Sequence, residues 1–260
     1  MSLLVAENLG IAFGGVKAVD GVSFCAEAGQ VLSIIGPNGA GKTTLFNLVS
    51  GVYKAREGRI VLNGRDVTGL PPHRLAALGL SRSFQNLQVF TRMTARENVM
   101  VGRHLRERRS VIADLLRLPS SERQNRATRA AADDLLRFVR LDGAADTPAG
   151  ALPYGALKRL EIARALASEP KVLLLDEPAA GCNAVETEEI DRLIREVADQ
   201  GVAVVLVEHD MKLVMKISDR ILVLDRGRPL AEGPPQEVRR NPAVIEAYLG
   251  PGHAREAAHA

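Results

Sequence analysis

Nine consecutive residues, Gly36-Pro37-Asn38-Gly39-Ala40-Gly41-Lys42-Thr43-Thr44, have the types and spacing of a phosphate cradle. They fit G-x-x-x-x-G-K-[ST], a loop whose backbone N–H groups surround phosphate oxygens. Gly36, Gly39 and Gly41 let the chain bend back and turn those N–H groups toward an anion. Lys42 would reach the β- and γ-phosphates, and the Thr43 hydroxyl would bind Mg²⁺. The run Gly36, Asn38, Gly39, Ala40, Gly41, Lys42, Thr43 and Thr44 is read as a nucleotide-binding loop. A chance match in a Gly-rich turn is the alternative, and the flanking sequence argues against it. Val31 to Ile35 reads as a buried strand and Leu45 to Val49 as the start of a helix, whose positive end would add to the cradle.

A second cluster closes the run Lys171-Val172-Leu173-Leu174-Leu175-Asp176-Glu177-Pro178. Four apolar residues in succession suit a strand buried on both faces. Two acids sit at its C-terminal end, where open α/β sheets bind ligands. Asp176 is placed to hold Mg²⁺ opposite Thr43, and Glu177 to polarise a water. A third strand pattern, Val202 to Val207, ends in Glu208-His209-Asp210. A lone histidine after a strand is more often structural, but His209 falls at the same end of the sheet. Phe13, in Phe13-Gly14-Gly15-Val16, reads either as a core anchor or as an aromatic that stacks on a base.

The elements that position these residues alternate. Short strands are expected near Val5 to Leu9, Val22 to Phe24, Val31 to Ile35 and Arg59 to Leu62, with Asn63-Gly64 as a hairpin turn. Pro71-Pro72 opens a short helix. Thr94 with Glu97 three residues on is a capping box. Arginines then crowd the chain at Arg103, Arg106, Arg108, Arg109, Arg117, Arg123, Arg126 and Arg129. They suit a solvated helix face or a partner-binding surface. Ser121 is expected to cap a helix through Leu141, and residues 142–150 read as a linker. The next helix places Leu157, Leu160, Ala163 and Leu166 on one face, with Lys158, Arg159 and Arg164 elsewhere. A helix over Val185 to Ala198, a strand over Arg220 to Asp225 and a helix from Asn241-Pro242 complete the order. Residues 251–260 read as a frayed tail. Alternation of strand and helix predicts an α/β fold with a mostly parallel sheet.

Composition narrows the class. The chain has 260 residues, of which 46% are hydrophobic and 25% charged, enough for a sizeable core. No apolar run reaches the ~18 residues that a membrane span needs. The N-terminus lacks the basic stretch of a signal peptide. Two distant cysteines, Cys25 and Cys182, do not suggest a disulfide framework, and a cytoplasmic protein is expected. The net charge of +3 and 3% aromatics do not point to nucleic acid.

Collected, these residues resemble the ATPase subunit of an ABC transporter over roughly residues 3–250. The resemblance implies an ABC-type P-loop ATPase with a RecA-like parallel core and an N-terminal antiparallel β subdomain. It implies a helical subdomain inserted at about 86–155, all within a single domain over 1–250. It implies ATP and Mg²⁺ as cofactors, Phe13 stacked on adenine, and Lys42, Glu177, His209 and Gln85 in catalysis. Thr43, Gln85 and Asp176 are then the metal set. Gln85 resembles the family's Q-loop and His209 its switch histidine. Gly181-Cys182-Asn183 lies where the D-loop belongs, with Asn183 in place of the usual Asp.

The family's signature, commonly L-S-G-G-Q, is here Leu152-Pro153-Tyr154-Gly155-Ala156. Pro153 lacks the serine hydroxyl and Ala156 lacks an amide side chain, while Tyr154 and Gly155 at the helix start are expected to receive nucleotide. Pro178-Ala179-Ala180-Gly181-Cys182-Asn183, Tyr154-Gly155 followed by Arg159 to Arg164, and Glu246-Ala247-Tyr248-Leu249-Gly250 are similar to the ATPase of branched-chain amino acid importers. That implies a homodimer or a heterodimer with a paralogue, two membrane permeases and, indirectly, a periplasmic binding protein. It implies a place on the cytoplasmic face of the inner membrane and no nucleic-acid partner. A related system for urea, other amides or amino acids, or lipid export is the first alternative. A non-transport ABC ATPase acting on DNA or ribosomes is the second.

Overall fold

The computed structural model describes residues 2–83, 87–106 and 119–249. Gln85, Arg108, Arg109, Arg117 and the tail 251–260 lie outside the described residues. The chain divides into two compact units. One takes the chain up to Arg82, then Lys171–Glu177 and the described residues from Asp191 on. The other takes Ser83–Pro170 and Pro178–Ile190.

The first unit contains two sheets. Strands β3 (Val31–Ile35), β7 (Val172–Asp176) and β8 (Ala203–Val207) are buried at every position, as their continuous apolar runs require. They belong to a six-stranded sheet of order β10-β9-β3-β8-β7-β6, with β6 at Leu80–Arg82, β9 at Arg220–Asp225 and β10 at Arg228–Gly233. The strands are parallel except β10, which returns antiparallel on β9 through Arg226 and Gly227, both at positive φ. Ser33, the one polar residue of β3, meets the Ser218 hydroxyl at 2.6 Å.

The second sheet is antiparallel, of order β2-β1-β4-β5. β1 (Ser2–Phe13) and β2 (Val16–Glu27) run twelve residues each, longer than their apolar cores suggest. Register shifts along β1 absorb the interruptions that make the sequence look like shorter strands. β4 (Glu57–Leu62) turns into β5 (Arg65–Asp66) at Asn63-Gly64, both at positive φ as that dipeptide favours. Helix α1 (Lys42–Val49) buries Leu45, Phe46, Leu48 and Val49 in the core that both sheets share.

The second unit is helical. α3 (Ala95–Gly102) starts at the expected capping box: the Thr94 hydroxyl accepts from Glu97 N–H and Glu97 accepts from Thr94 N–H. Asn98 is fully buried and bonds both backbone groups of Phe90, holding the preceding loop. α4 (Pro119–Phe138) starts before Ser121 and stops short of Leu141. Arg96 ties it to the following turns through Asp133 and Asp146. The expected linker holds two short 3-10 turns, Asp142–Ala144 and Ala149–Ala151.

α5 (Tyr154–Leu166) departs from the one-sided stripe. Lys158 and Glu161 are buried, whereas Leu157 is half-exposed. The helix is covered around most of its circumference, and the Lys158 ammonium lies 5.8 Å from the Tyr154 ring centre. Burial of a lysine stem with its charge on an aromatic face is compatible with such a position.

Candidate nucleotide-binding and hydrolysis site

In the first unit the loop 36–41 leads from β3 into α1. Gly36, Gly39 and Gly41 have φ of +153°, +80° and +98°. A Cβ on Gly36 would lie 2.2 Å from the Leu224 carbonyl oxygen, and one on Gly41 would lie 2.4 Å from that of Ala18. Those two glycines are therefore required by contact as well as by conformation. α1 starts at Gly41 with no side-chain cap, which leaves its first N–H groups for an anion. Asn38 and Gly39 are exposed at the loop tip, Ala40 is buried, Thr43 is exposed and Thr44 half-buried.

Lys42 folds back across this loop. Its ammonium donates to the Gly36 carbonyl at 2.7 Å and the Pro37 carbonyl at 3.1 Å. Desolvation lowers its pKa, and attraction from Glu177 and Asp176 opposes that. The lysine and the two acids at the end of β7 thus act on one another, as the two sequence patterns require. Asp176 is 3% exposed at the side chain and accepts from Arg82 at 3.1 Å. An acid and a hydroxyl, Asp176 and Thr43, form a hard-oxygen donor set of the kind Mg²⁺ accepts when phosphates and waters complete its shell.

Glu177 is not at an extended strand end. Strand pairing stops at Asp176, and Glu177 has φ +48°, in the left-handed region, with its N–H donating to the Val207 carbonyl at 2.9 Å. The direction of its side chain is set by this turn and not by the alternation of the strand's pleat. The His209 ring nitrogen Nδ1 stands 3.8 Å from Glu177 and 3.8 Å from the buried Glu208. Asp210 then caps α7 (Met211–Ile217). The structure therefore brings His209 to Glu177.

Phe13 is 47% exposed and meets Tyr53 edge-on at 5.4 Å. Exposure at that level removes the core-anchor alternative and leaves a ring face available. Tyr248, in α9 (Pro242–Leu249), reaches the same loop from the other end of the sequence. Burial pushes its phenol up to about 12, opposed by a hydrogen bond with the Gly36 backbone.

In the second unit, Pro153 is the N-cap of α5 and provides no side-chain bond. The segment is held from elsewhere. The Tyr154 hydroxyl donates to the Ala180 carbonyl at 3.1 Å, and Gly155 N–H donates to Glu186 at 3.2 Å. The other Glu186 oxygen accepts from Asn183 N–H, while the Asn183 side chain accepts from Val185 and Glu186 N–H. Asn183 is thus the cap of α6 (Ala184–Asp199). A Cβ on Gly155 would lie 2.6 Å from the Glu186 side chain, so a larger residue there would displace that carboxylate. The Asn183-x-x-Glu186 spacing is a capping-box signal readable in the sequence. Nothing local announces its reach to Gly155.

Arg103 and Arg106 are not free side chains, although Arg106 stays exposed. Arg103 pairs with Glu169, and Arg106 donates to the Ser168 and Glu169 carbonyls at 2.7 and 2.8 Å. Arg82 is not singled out by the sequence, because nothing in Leu80-Ser81-Arg82 marks a charge that turns inward.

A family model described as ABC transporter matches residues 19–180, and one described as branched-chain amino acid ATP-binding cassette transporter matches 228–254. The chain is 46% identical over 249 residues to the high-affinity branched-chain amino acid transport ATP-binding protein BraF of Pseudomonas aeruginosa, spanning 95% of this chain and 98% of the relative. It is 34% identical over 250 residues to the lipopolysaccharide export system ATP-binding protein LptB of Haemophilus influenzae, spanning 96% and 98%. Among solved structures, the ADP conformation of MJ1267, an ATP-binding cassette of an ABC transporter, is similar with a TM-score of 0.84 at 34% identity, covering 96% of this chain and all of that one.

Proposed function

The chain belongs to the ABC transporter ATP-binding family, and on that premise we propose that it is the ATP-hydrolysing subunit of an importer of branched-chain amino acids. The solute class rests on one observation: the match over residues 228–254, which lies outside the phosphate loop and the β7 acids. The higher identity to the branched-chain amino acid protein than to the lipopolysaccharide one supports the same choice.

In this reading ATP lies along the 36–43 loop with its adenine on the Phe13 ring. Lys42 exchanges the Gly36 and Pro37 carbonyls for β- and γ-phosphate oxygens. Thr43 and Asp176 would hold Mg²⁺, which would neutralise charge on the phosphate oxygens; Gln85, which the family resemblance adds to this set, lies outside the described residues. Glu177 orients a water and takes its proton as the water attacks the γ-phosphate in line. His209, which lies 3.8 Å from Glu177, would donate to the γ-phosphate as charge develops there.

Two such subunits, identical or paralogous, would enclose each ATP between one loop and the other chain's Tyr154-Gly155 segment. Two permeases in the membrane and a periplasmic binding protein would complete the importer. No described helix is long and apolar enough to cross a membrane, so the permeases would carry the solute path.

Two measurements test this. Glu177→Gln keeps the shape of the side chain and removes the base. ATP binding is expected to persist while hydrolysis falls roughly 10²- to 10⁴-fold, the range for a positioned general base. Hydrolysis at the wild-type rate would remove Glu177 from the mechanism. For the solute, the chain reconstituted with the permeases encoded beside it is expected to hydrolyse ATP faster when leucine-loaded binding protein is added. Stimulation by urea or by lipid instead would replace the solute assignment and leave the ATPase assignment standing.

A further inference from the structure

We propose that Arg82 is a positioning residue for the metal-binding carboxylate, and so sets how tightly the site takes up Mg²⁺ with ATP. This rests on the ATPase reading above, in which Thr43 and Asp176 are the chain's ligands to the ion. Arg82 closes β6, three residues before Gln85, and no motif in the sequence assigns it a task.

Its guanidinium makes directed bonds to two elements at once. One terminal nitrogen donates to Asn47 Oδ1 at 2.6 Å and to Ser50 Oγ at 2.7 Å. The other donates to Asp176 Oδ2 at 3.1 Å. Its plane lies 5.6 Å from the centre of the Phe46 ring. Phe46 and Asn47 belong to α1, and Ser50 is that helix's C-cap. Thr43 stands in the first turn of the same helix. One planar fork therefore ties the helix that carries Thr43 to the strand end that carries Asp176.

The fork is 10% exposed and the carboxylate 3%, so neither group is held by solvent. Burying a charged pair is unfavourable unless the geometry is well defined and hydrogen-bonded on several sides. Here Asn47, Ser50 and Phe46 supply those further contacts. A guanidinium also fixes the orientation of its partner, which the single ammonium of a lysine cannot do while reaching α1 as well. Groups that hydrogen-bond a metal ligand orient it, and their loss typically weakens metal binding roughly 10- to 100-fold.

A purely structural pin between β6 and α1 would make a different prediction, because nucleotide binding without metal depends on the loop and not on Asp176. The test uses the full chain with a fluorescent ATP analogue, titrated in excess chelator and then with rising Mg²⁺. In Arg82→Lys and Arg82→Gln, binding in chelator is expected to stay at the wild-type level. The Mg²⁺ concentration giving half of the metal-dependent gain is expected to rise roughly 10- to 100-fold. Asn47→Ala, which removes one anchor on α1 and keeps the arginine, is expected to shift it in the same direction by less. It serves if the Arg82 variants do not fold. Mn²⁺ binding in the presence of the analogue, read by electron paramagnetic resonance, gives a second measure independent of turnover. An unchanged Mg²⁺ midpoint, or equal losses with and without metal, would overturn the role of Arg82. Asp176→Asn run in parallel separates the two readings. If it keeps the full metal-dependent gain, the metal assignment itself fails.

Discussion

The loop 36–43 and the segment 152–156 both lead into a helix whose N-cap residue offers no side-chain bond, yet they are held by different means. The loop is held by backbone. Gly36 and Gly41 sit against the carbonyls of Leu224 and Ala18, and Lys42 is bonded to two carbonyls of its own loop. The segment is held by side-chain bonds that join it to a distant stretch. Glu186 takes the Gly155 N–H, and Tyr154 is anchored on Ala180. This explains how the segment tolerates proline where its family commonly has serine, and alanine where it has glutamine. Its shape does not depend on those positions. A loop fixed by its own backbone has no such freedom.

The largest expected effect breaks the loop's chemistry while leaving its shape. Lys42→Ala is expected to weaken ATP binding and to remove turnover, a loss of at least about 10³-fold or ~4 kcal/mol in the barrier. Turnover in the purified variant at the wild-type rate would refute the loop assignment. The same lysine supplies a gentler arm. Desolvation lowers its pKa in the free chain, whereas bound phosphates favour the charged form. Affinity is therefore expected to be full below the free chain's lowered pKa and to decline as pH rises through it, before the ordinary lysine range. Affinity constant up to that ordinary range would show that the ammonium is not desolvated before ATP arrives.

The next effect breaks the loop's shape. Gly36→Ala puts a methyl 2.2 Å from a backbone oxygen that cannot swing away. A loss of several kcal/mol of stability, about 3 or more, is expected from overpacking plus an unfavourable φ, seen as a lower denaturation midpoint. A midpoint equal to wild type would mean that the loop has the slack attributed here only to residues 152–156.

The smallest sharpens the comparison from the other side. Glu186→Ala removes the capping-box partner of Asn183 and frees the Gly155 N–H, with an expected loss of about 1 kcal/mol. Because Tyr154 is still anchored, the nucleotide-free fold is expected to survive. A loss as large as that of Gly36→Ala would show that the side-chain latch is as unforgiving as the backbone one.

The same contrast sets what was legible beforehand. The loop, the β7 acids, the Thr94 cap and the Asn63-Gly64 turn carry their instructions within a few adjacent residues, and each was readable. Gly155 with Glu186, Arg82 with Asp176, and Tyr248 with Gly36 join residues 31, 94 and 212 positions apart. Their pairing follows from packing that no local pattern encodes. The buried Lys158 fails as a surface residue for a related reason: α5 is enclosed on most sides, so the periodicity of one apolar face does not apply. Arg106 shows the hazard of reading charge alone. Reversing it would break bonds to the turn that follows α5, so a transport defect in that variant would not identify a docking surface.

Glu177 carries one more consequence. Its backbone, at φ +48°, is of the kind that glycine or asparagine occupies with least strain, and a glutamate there forgoes on the order of 1 kcal/mol. If Glu177 is the base proposed above, the sequence that best suits this backbone is not the sequence that hydrolyses ATP. Under that proposal, engineering the chain for heat resistance by melting temperature alone would drift toward glycine at this position and end in a durable, inert protein. Any stabilisation campaign has to hold residue 177 fixed and gain its increments elsewhere.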